Sequence, residues 1–273
     1  MLRSLQDRSD FRADISTLHR ITTLKEVATG GEACEEIQVS GGLRIDKISH
    51  QDQIGQTPDH TRIKDPGAIA PLFERLRTKV LACVKCPNLV ASRHSVVFGT
   101  GNPSAELMFV GEAPGADEDI QGEPFVGRAG ELLTKIIETM GYQRSEVYIA
   151  NVLKCRPDMP PGSSGNRQPT RTEMETCLPY LREQIALIQP KAMVALGATA
   201  MRGLFGKEAP MNQMRGRWHF FSSIPVMATF HPSYLLRNQA LSVKRKVWED
   251  MLQVLEKLGH PISEKQKNYF LAR

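Results

Sequence analysis

The chain has 273 residues, 41% of them apolar, a formal net charge of +5 and five cysteines. That length holds one large domain or two small ones, and the composition is that of an ordinary globular protein. No apolar run approaches the ~18 residues of a membrane span, and the start, Met1 to Gln6, lacks the apolar stretch of a secretory signal. Membrane and exported classes are thereby set aside, a cytoplasmic location is expected, and structural disulfides are not. The mild basic excess suits a polyanionic partner.

Residues 1–66 contain one aromatic, Phe11, and are rich in Gly, Ser, Thr, Asp and Gln. Apart from a transient helix over 11–27, such a segment buries too little to offset its ordering entropy. A disordered extension over 1–66 is expected, then a domain over 67–259 and a C-terminal tail over 260–273. Cys34 reads as a free thiol. From Pro71 onward Leu72, Phe73, Leu76 and Val80 share a helix face, with Pro71 at its start. The helix leads into Cys83-Val-Lys-Cys86. A C-x-x-C in an intracellular chain is a metal site or a redox pair. The redox reading needs a strand before it, and a helix stands there. Cys155 and Cys177 supply two more ligands for a thiolate cage. Zinc and a 4Fe–4S cluster both accept four thiolates, and spacing alone does not separate them.

Leu107 to Val110 is a short apolar run that reads as a buried strand. It ends in the turn Gly111-Glu-Ala-Pro-Gly115, and open α/β sheets hold their ligands at the carboxyl ends of such strands. The acids Asp117, Glu118 and Asp119 follow; a turn at Gly122 and Pro124 then delivers Phe125 before a helix over 131–140. Backbone N–H groups, carboxylates and a flat ring together suit a planar substrate. A second strand over 147–150 ends at Asn151. The loop from Pro157 to Thr170, flanked and crossed by Arg156, Arg167 and Arg171, suits phosphates. Thr172 with Glu175 matches a capping box, opening a helix to about Gln189. A strand over 192–196, a short helix after Gly197, an alternating strand over 215–221 and a strand over 225–230 come next. His231 follows, and a last helix spans Asn238 to Leu258.

Strands alternating with helices predict an α/β fold, a three-layer αβα sandwich around a mainly parallel central sheet. Parallel strands bring their carboxyl ends together, so Glu112, Asn151 and His231 are expected to converge with Phe125.

Five blocks, Gly111–Gly115, residues 122–130, Asn151–Pro157, Arg215–Trp218 and His231–Ser233, together resemble the type-4 uracil-DNA glycosylases. This is a bacterial and archaeal family with an iron–sulfur cluster, and the likeness covers about residues 70–258. It implies a structural 4Fe–4S cluster on Cys83, Cys86, Cys155 and Cys177, and an enzyme that flips uracil out of DNA and hydrolyses its N-glycosidic bond. Phe125 would stack on the base and the Asn151 amide would read its O4 and N3–H. His231, with backbone N–H groups at Glu112 and Ala113, would stabilise charge on O2. Ala113 stands where better-known uracil glycosylases carry an Asp, so Glu112 and Glu118 are the candidate carboxylates. Glu118 could instead exclude the methyl group of thymine. Leu235 or Leu236 would wedge into the duplex, with Arg237, Arg156 and Arg167 on phosphates. The implied partner is uracil-containing DNA, single- or double-stranded. A monomer is expected, and a further reading, outside the resemblance, makes residues 1–66 a tether to a repair or replication partner. The alternative is a binding module without turnover. A self-crosslinking relative uses a His in the loop after the third Cys, and residues 157–176 hold none.

Overall fold

The computed structural model describes residues 66–271, apart from 161, 164, 207 and 208. The expectations for residues 1–65, including the helix over 11–27 and the free thiol at Cys34, lie outside the described residues.

The first helix, α1 (Pro66–Leu81), begins earlier than expected and carries Pro71 inside it rather than at its start. A proline this near the amino end forfeits a single ladder bond, so the apolar face of the helix outweighs it. After α2 (Pro87–Ser92) and the short strand β1 (Thr100–Gly101) comes β2 (Leu107–Gly111), buried along its whole length. Asp117, Glu118 and Asp119 occupy the first turn of a helix not foreseen from the sequence, α3 (Ala116–Gln121), where acids face the positive end of the dipole. Next come α4 (Arg128–Met140), β3 (Tyr148–Asn151) and α5 (Arg171–Ile188). The capping box of α5 is Thr170 with Glu173, two residues before the expected pair. The Thr170 side chain accepts from the Glu173 N–H, and Glu173 Oε2 accepts from the Thr170 N–H at 2.8 Å. The chain continues through β4 (Ala192–Leu196), α6 (Ala198–Phe205), α7 (Met211–Met214), β5 (Trp218–Phe221) and β6 (Ile224–Thr229). The expected last helix is preceded by a separate short one, α8 (Pro232–Arg237), before α9 (Leu241–Leu258). Residues beyond α9, expected as a tail, carry α10 (Glu264–Lys267) and fold back, with Tyr269 edge-on to Trp248 at 5.5 Å.

The six strands run in the order β1-β3-β2-β4-β6-β5. The central β3, β2, β4 and β6 are parallel, and the two edge strands pair antiparallel to them. Side chains alternate across the sheet. Leu107 and Phe109 join Leu133 and Ile137 of α4 and Trp248 and Met251 of α9. Met108 and Val110 join Leu76 of α1, Leu181 of α5 and Met201 of α6. Helices thus cover both faces and the architecture is the expected three-layer sandwich. The chain leaves β2 for β3 on one side and then crosses to β4 on the other. That reversal opens a crevice between β2 and β4 at their carboxyl ends, the position where such sheets bind ligands.

Candidate active site

Gly111 closes β2 directly opposite Asn151, the last residue of β3. Asn151 is 2% exposed, and its Oδ1 accepts no hydrogen bond within the protein. A buried acceptor left open costs about 1–3 kcal/mol, so this amide oxygen is a standing receptor for a donor. A β-carbon on Gly111 would fall 2.6 Å from Phe125 Cζ and 2.7 Å from Cε2, and closer still to Asn151 Oδ1. The ring and the amide oxygen therefore both close over Gly111, in contact that only glycine permits. Lys154 reinforces Asn151 from behind. Its fully buried ammonium donates to the Asn151 carbonyl at 3.0 Å and to Gln184 Oε1 at 2.6 Å.

Phe125 lies beside the third residue of the group, its ring 5.7 Å from that of His231 and tilted by 33°. Its backbone is left-handed, at φ 55°, a conformation that costs a bulky residue about 1–3 kcal/mol. Arg144 holds it there, donating from Nη2 to the Pro124 carbonyl at 2.6 Å and to the Phe125 carbonyl at 3.1 Å. Gly130 of α4 packs so tightly on the Phe125 carbonyl that no β-carbon fits.

His231 caps α8. Its Nδ1 accepts the Ser233 backbone N–H at 3.1 Å and faces the Ser233 hydroxyl at 2.8 Å. Burial lowers its pKa to about 4, with the Arg237 charge a smaller cause in the same direction. The ring is neutral at pH 7, and because Nδ1 is an acceptor the proton sits on Nε2. His231 is thus a fixed hydrogen-bond donor that carries no charge.

The two candidate carboxylates stand in different surroundings. Burial raises the pKa of Glu112, while a hydrogen bond from Thr199 and the Arg202 charge pull the other way. Glu112 follows β2 and Thr199 opens α6 after β4, so this acid borders the crevice. Glu118 is engaged with the backbone. Its Oε2 accepts the Gly115 N–H at 3.0 Å, and its Oε1 accepts the N–H groups of Val126 and Gly127, each at 3.1 Å. It staples the turn after β2 to the turn that carries Phe125. Ala113, within the turn after β2, is half-buried against the core.

The four cysteines of the described residues line one small cavity, walled by Leu89, Leu153 and Tyr180, and none is in a disulfide. Arg93 Nη1 donates to Cys155 Sγ at 3.1 Å and its Nη2 to the Cys83 carbonyl at 2.8 Å. The Lys154 N–H donates to Cys177 Sγ at 3.3 Å. Burial pushes the Cys177 thiol up to about 12, and burial followed by the charge of its neighbours raises Cys86. Among the described residues no three His, Cys, Asp or Glu side chains converge closely enough to hold a single ion.

Residues 98–252 match the family described as the uracil DNA glycosylase superfamily. A protein of Thermotoga maritima named a type-4 uracil-DNA glycosylase is 44% identical over 182 residues, or 66% of this chain and 91% of the relative. The chain belongs to the type-4 uracil-DNA glycosylases. A Sulfurisphaera tokodaii protein of the same name is 39% identical over 208 residues, covering 73% of this chain and 90% of its own length. A type-5 uracil-DNA glycosylase of Pyrobaculum aerophilum is more distant, at 27% over 199 residues, 61% of this chain and 84% of the relative.

In this type-4 uracil-DNA glycosylase the residues expected to meet DNA differ in availability. Leu235 is 5% exposed and points into the protein, whereas Leu236 is half-buried and Arg237 exposed. Arg167 is taken up internally. It pairs with Asp158 and, at 2.7 Å, with Glu173, while Asn88 Nδ2 donates to the same two carboxylates at 2.9 and 3.1 Å. This cluster ties the loop after Cys155 to α2 and to the start of α5. Arg156 donates from Nη2 to the Gly165 carbonyl at 2.9 Å and keeps an unpartnered Nε. Sequence reasoning missed Arg144, Thr199 and Lys154. The first lies in a polar turn and the second opens a small helix, so neither carries a spacing signal. Lys154 had one, a cation within the apolar run Val152-Leu153 before Cys155.

Proposed function

We propose that this protein excises uracil from DNA, hydrolysing the N-glycosidic bond and leaving an abasic site. The observation that carries this reading is the buried, unpaired Asn151 amide oxygen, which closes over Gly111 together with the Phe125 ring. Enzymes that act on a base within DNA must first extrude it, at a cost of a few kcal/mol. Phe125 stacks on the flipped base. Asn151 Oδ1 accepts N3–H of uracil, and the amide NH₂ donates to O4. Cytosine presents an acceptor and a donor in the reversed order, leaving buried groups unpaired; sites of that kind discriminate strongly.

As the glycosidic bond lengthens, electron density gathers on uracil O2. His231 Nε2–H, with the N–H groups of the Glu112–Ala113 turn, stabilises it as an oxyanion hole does. A neutral donor suits the step, because it needs no proton from solvent. The sugar becomes an oxocarbenium-like cation that water attacks. Glu112 is the carboxylate for positioning that water, since both Glu118 oxygens already accept backbone N–H groups. Glu118 shapes the pocket by holding its two turns together. Leu236 is the apolar wedge, and Arg237 and Arg156 take phosphates.

Cys83, Cys86, Cys155 and Cys177 fit a 4Fe–4S cluster, which binds one thiolate per iron and so needs four thiols around a common space rather than at a single point. When bound, such a cluster would cross-link the turn between α1 and α2, the segment after β3, and α5. The glycosylase unit is residues 67–259, acting as a monomer in the cytoplasm. Residues 1–66 lie outside the family match and serve as a link to a repair or replication partner.

The test is an end-labelled oligonucleotide with one uracil, incubated with the purified protein and then treated with alkali. Strand scission over many turnovers, lost in Asn151→Ala and His231→Ala, is the expected result. A DNA adduct stable to denaturant, or binding with neither product, would overturn it.

A further inference from the structure

We infer that Arg144 is a positioning residue that sets the stacking face of Phe125 without touching the base. The inference rests on the reading of Phe125 as the platform for a flipped base. Phe125 occupies a left-handed conformation, at φ 55°, that non-glycine residues rarely adopt. A bulky residue remains there only where its surroundings over-determine it. The orientation of its ring follows from the two peptide planes that flank its Cα, and both are held.

The plane before Phe125 is fixed by its carbonyl, that of Pro124, which accepts from Arg144 Nη2 at 2.6 Å. The plane after it is fixed at both ends. Its carbonyl, that of Phe125, accepts from the same Nη2 at 3.1 Å, and its N–H, that of Val126, donates to Glu118 Oε1 at 3.1 Å. One guanidinium therefore governs both backbone dihedrals of the stacking residue. It is itself oriented by Nη1, which donates to Thr134 Oγ1 of α4 at 3.2 Å. Arg144 belongs to the turn that enters β3, and β3 ends at Asn151. The clamp thus references the stacking ring to the strand that carries the base-reading amide. Both carbonyls take one nitrogen, so a lysine ammonium could reach them, but it has no second nitrogen for Thr134 Oγ1 and would lose the anchor that orients the clamp.

The experiment is a mutant cycle on the full chain, reading single-turnover excision from a uracil-containing oligonucleotide. Phe125→Ala and Arg144→Met are each expected to slow excision by about tenfold to a hundredfold, the scale of an ångström misplacement at a reacting centre. In the Phe125→Ala background Arg144→Met should cost no more than about another twofold, because residues acting as one unit are not additive. Arg144→Lys should recover part of the rate, and affinity for uracil-free DNA should stay at its wild-type value. Wild-type excision by Arg144→Met, multiplicative losses in the double variant, or weakened binding of uracil-free DNA would each overturn the assignment. If Arg144→Met loses its cooperative melting transition, Arg144→Lys is carried through the same cycle, with a loss smaller than that of Phe125→Ala expected; a full wild-type rate, or a loss that multiplies with that of Phe125→Ala, overturns the assignment. An inactive wild-type protein would instead sink the glycosylase reading. An active wild type, an impaired Phe125→Ala and an unimpaired Arg144→Met would sink only the role of Arg144.

Discussion

Replacing Gly111 by alanine tests the pocket with the smallest possible probe. The added methyl would stand 2.6 and 2.7 Å from two carbons of the Phe125 ring, about 1 Å inside the ~3.5–4.0 Å at which carbon atoms pack. The ring cannot retreat by rotating its backbone, because Arg144 holds the carbonyls on either side of it. Asn151 cannot retreat either, since its carbonyl is held by Lys154 and its backbone is paired with β2. The methyl therefore pushes the ring and the amide out of the arrangement proposed to hold the base. A displacement of about 1 Å at such a site costs roughly a hundredfold in rate, equivalent to about 2.7 kcal/mol. Overpacking costs about 1–3 kcal/mol of stability, which lowers Tm by a few degrees to about 10 °C in a domain of this size. Single-turnover excision and thermal melting on the same preparation separate the two effects. A Gly111→Ala protein that excises uracil at the wild-type rate would show that the Phe125 ring and the Asn151 amide, as placed over Gly111, do not hold the base.

The pH dependence follows from His231. Its pKa falls from the usual 6.5 to about 4 in the fold, so below pH 6.5 the unfolded chain takes a proton that the folded one refuses. Stability should decline as the pH falls from 6.5 toward 4, by about 3 kcal/mol for this group, and denaturant titrations of wild type against His231→Gln read the difference. Glu106, held near 2 despite burial by hydrogen bonds with Lys191, His260 and Tyr142, adds to the acid loss below the normal carboxylate range, whereas Asp250, raised to about 6 chiefly by burial, works in the opposite sense. Excision in turn should show no step from His231, whose ring is already neutral, and its fall in acid should follow Glu112, whose pKa burial raises; a step near 6.5 that is lost in His231→Gln would refute the neutral ring. Arg167→Met should loosen the loop after Cys155, lowering stability by about 1 kcal/mol for this partly exposed cluster while changing single-turnover excision less than threefold; a large rate loss at unchanged Tm would return Arg167 to the DNA contacts. Cys177→Ser should abolish absorbance near about 400 nm in the purified protein together with iron content; iron-free wild-type protein carrying stoichiometric zinc would replace the cluster with a single-ion site.

Much of the frame was legible in the sequence because it depends on local periodicity. Four short apolar runs, each closed by a turn and followed by a helical pattern, are enough to predict parallel strands with aligned carboxyl ends. That alignment is why Asn151 and the turn after Gly111 come together although 40 residues separate them. The capping box of α5 was misread by two residues because Thr170–Glu173 and Thr172–Glu175 present the same spacing, and only the observed turn separates them.

What tertiary structure alone decided is which partner each polar side chain keeps. Glu112 and Glu118 look alike in sequence. One borders the crevice, while the other spends both oxygens on three backbone N–H groups. Leu235 and Leu236 are identical in kind, and the packing of one short helix buries the first and leaves the second half-covered. Arg167 looks like a phosphate ligand until Asp158 and Glu173 close around it, and Arg144 carries no signal until it meets the carbonyl of Phe125. Periodicity reports which residues turn away from water, a property of each segment by itself. Hydrogen-bond partners are drawn from segments far apart in the chain, so they exist only once the layers have packed.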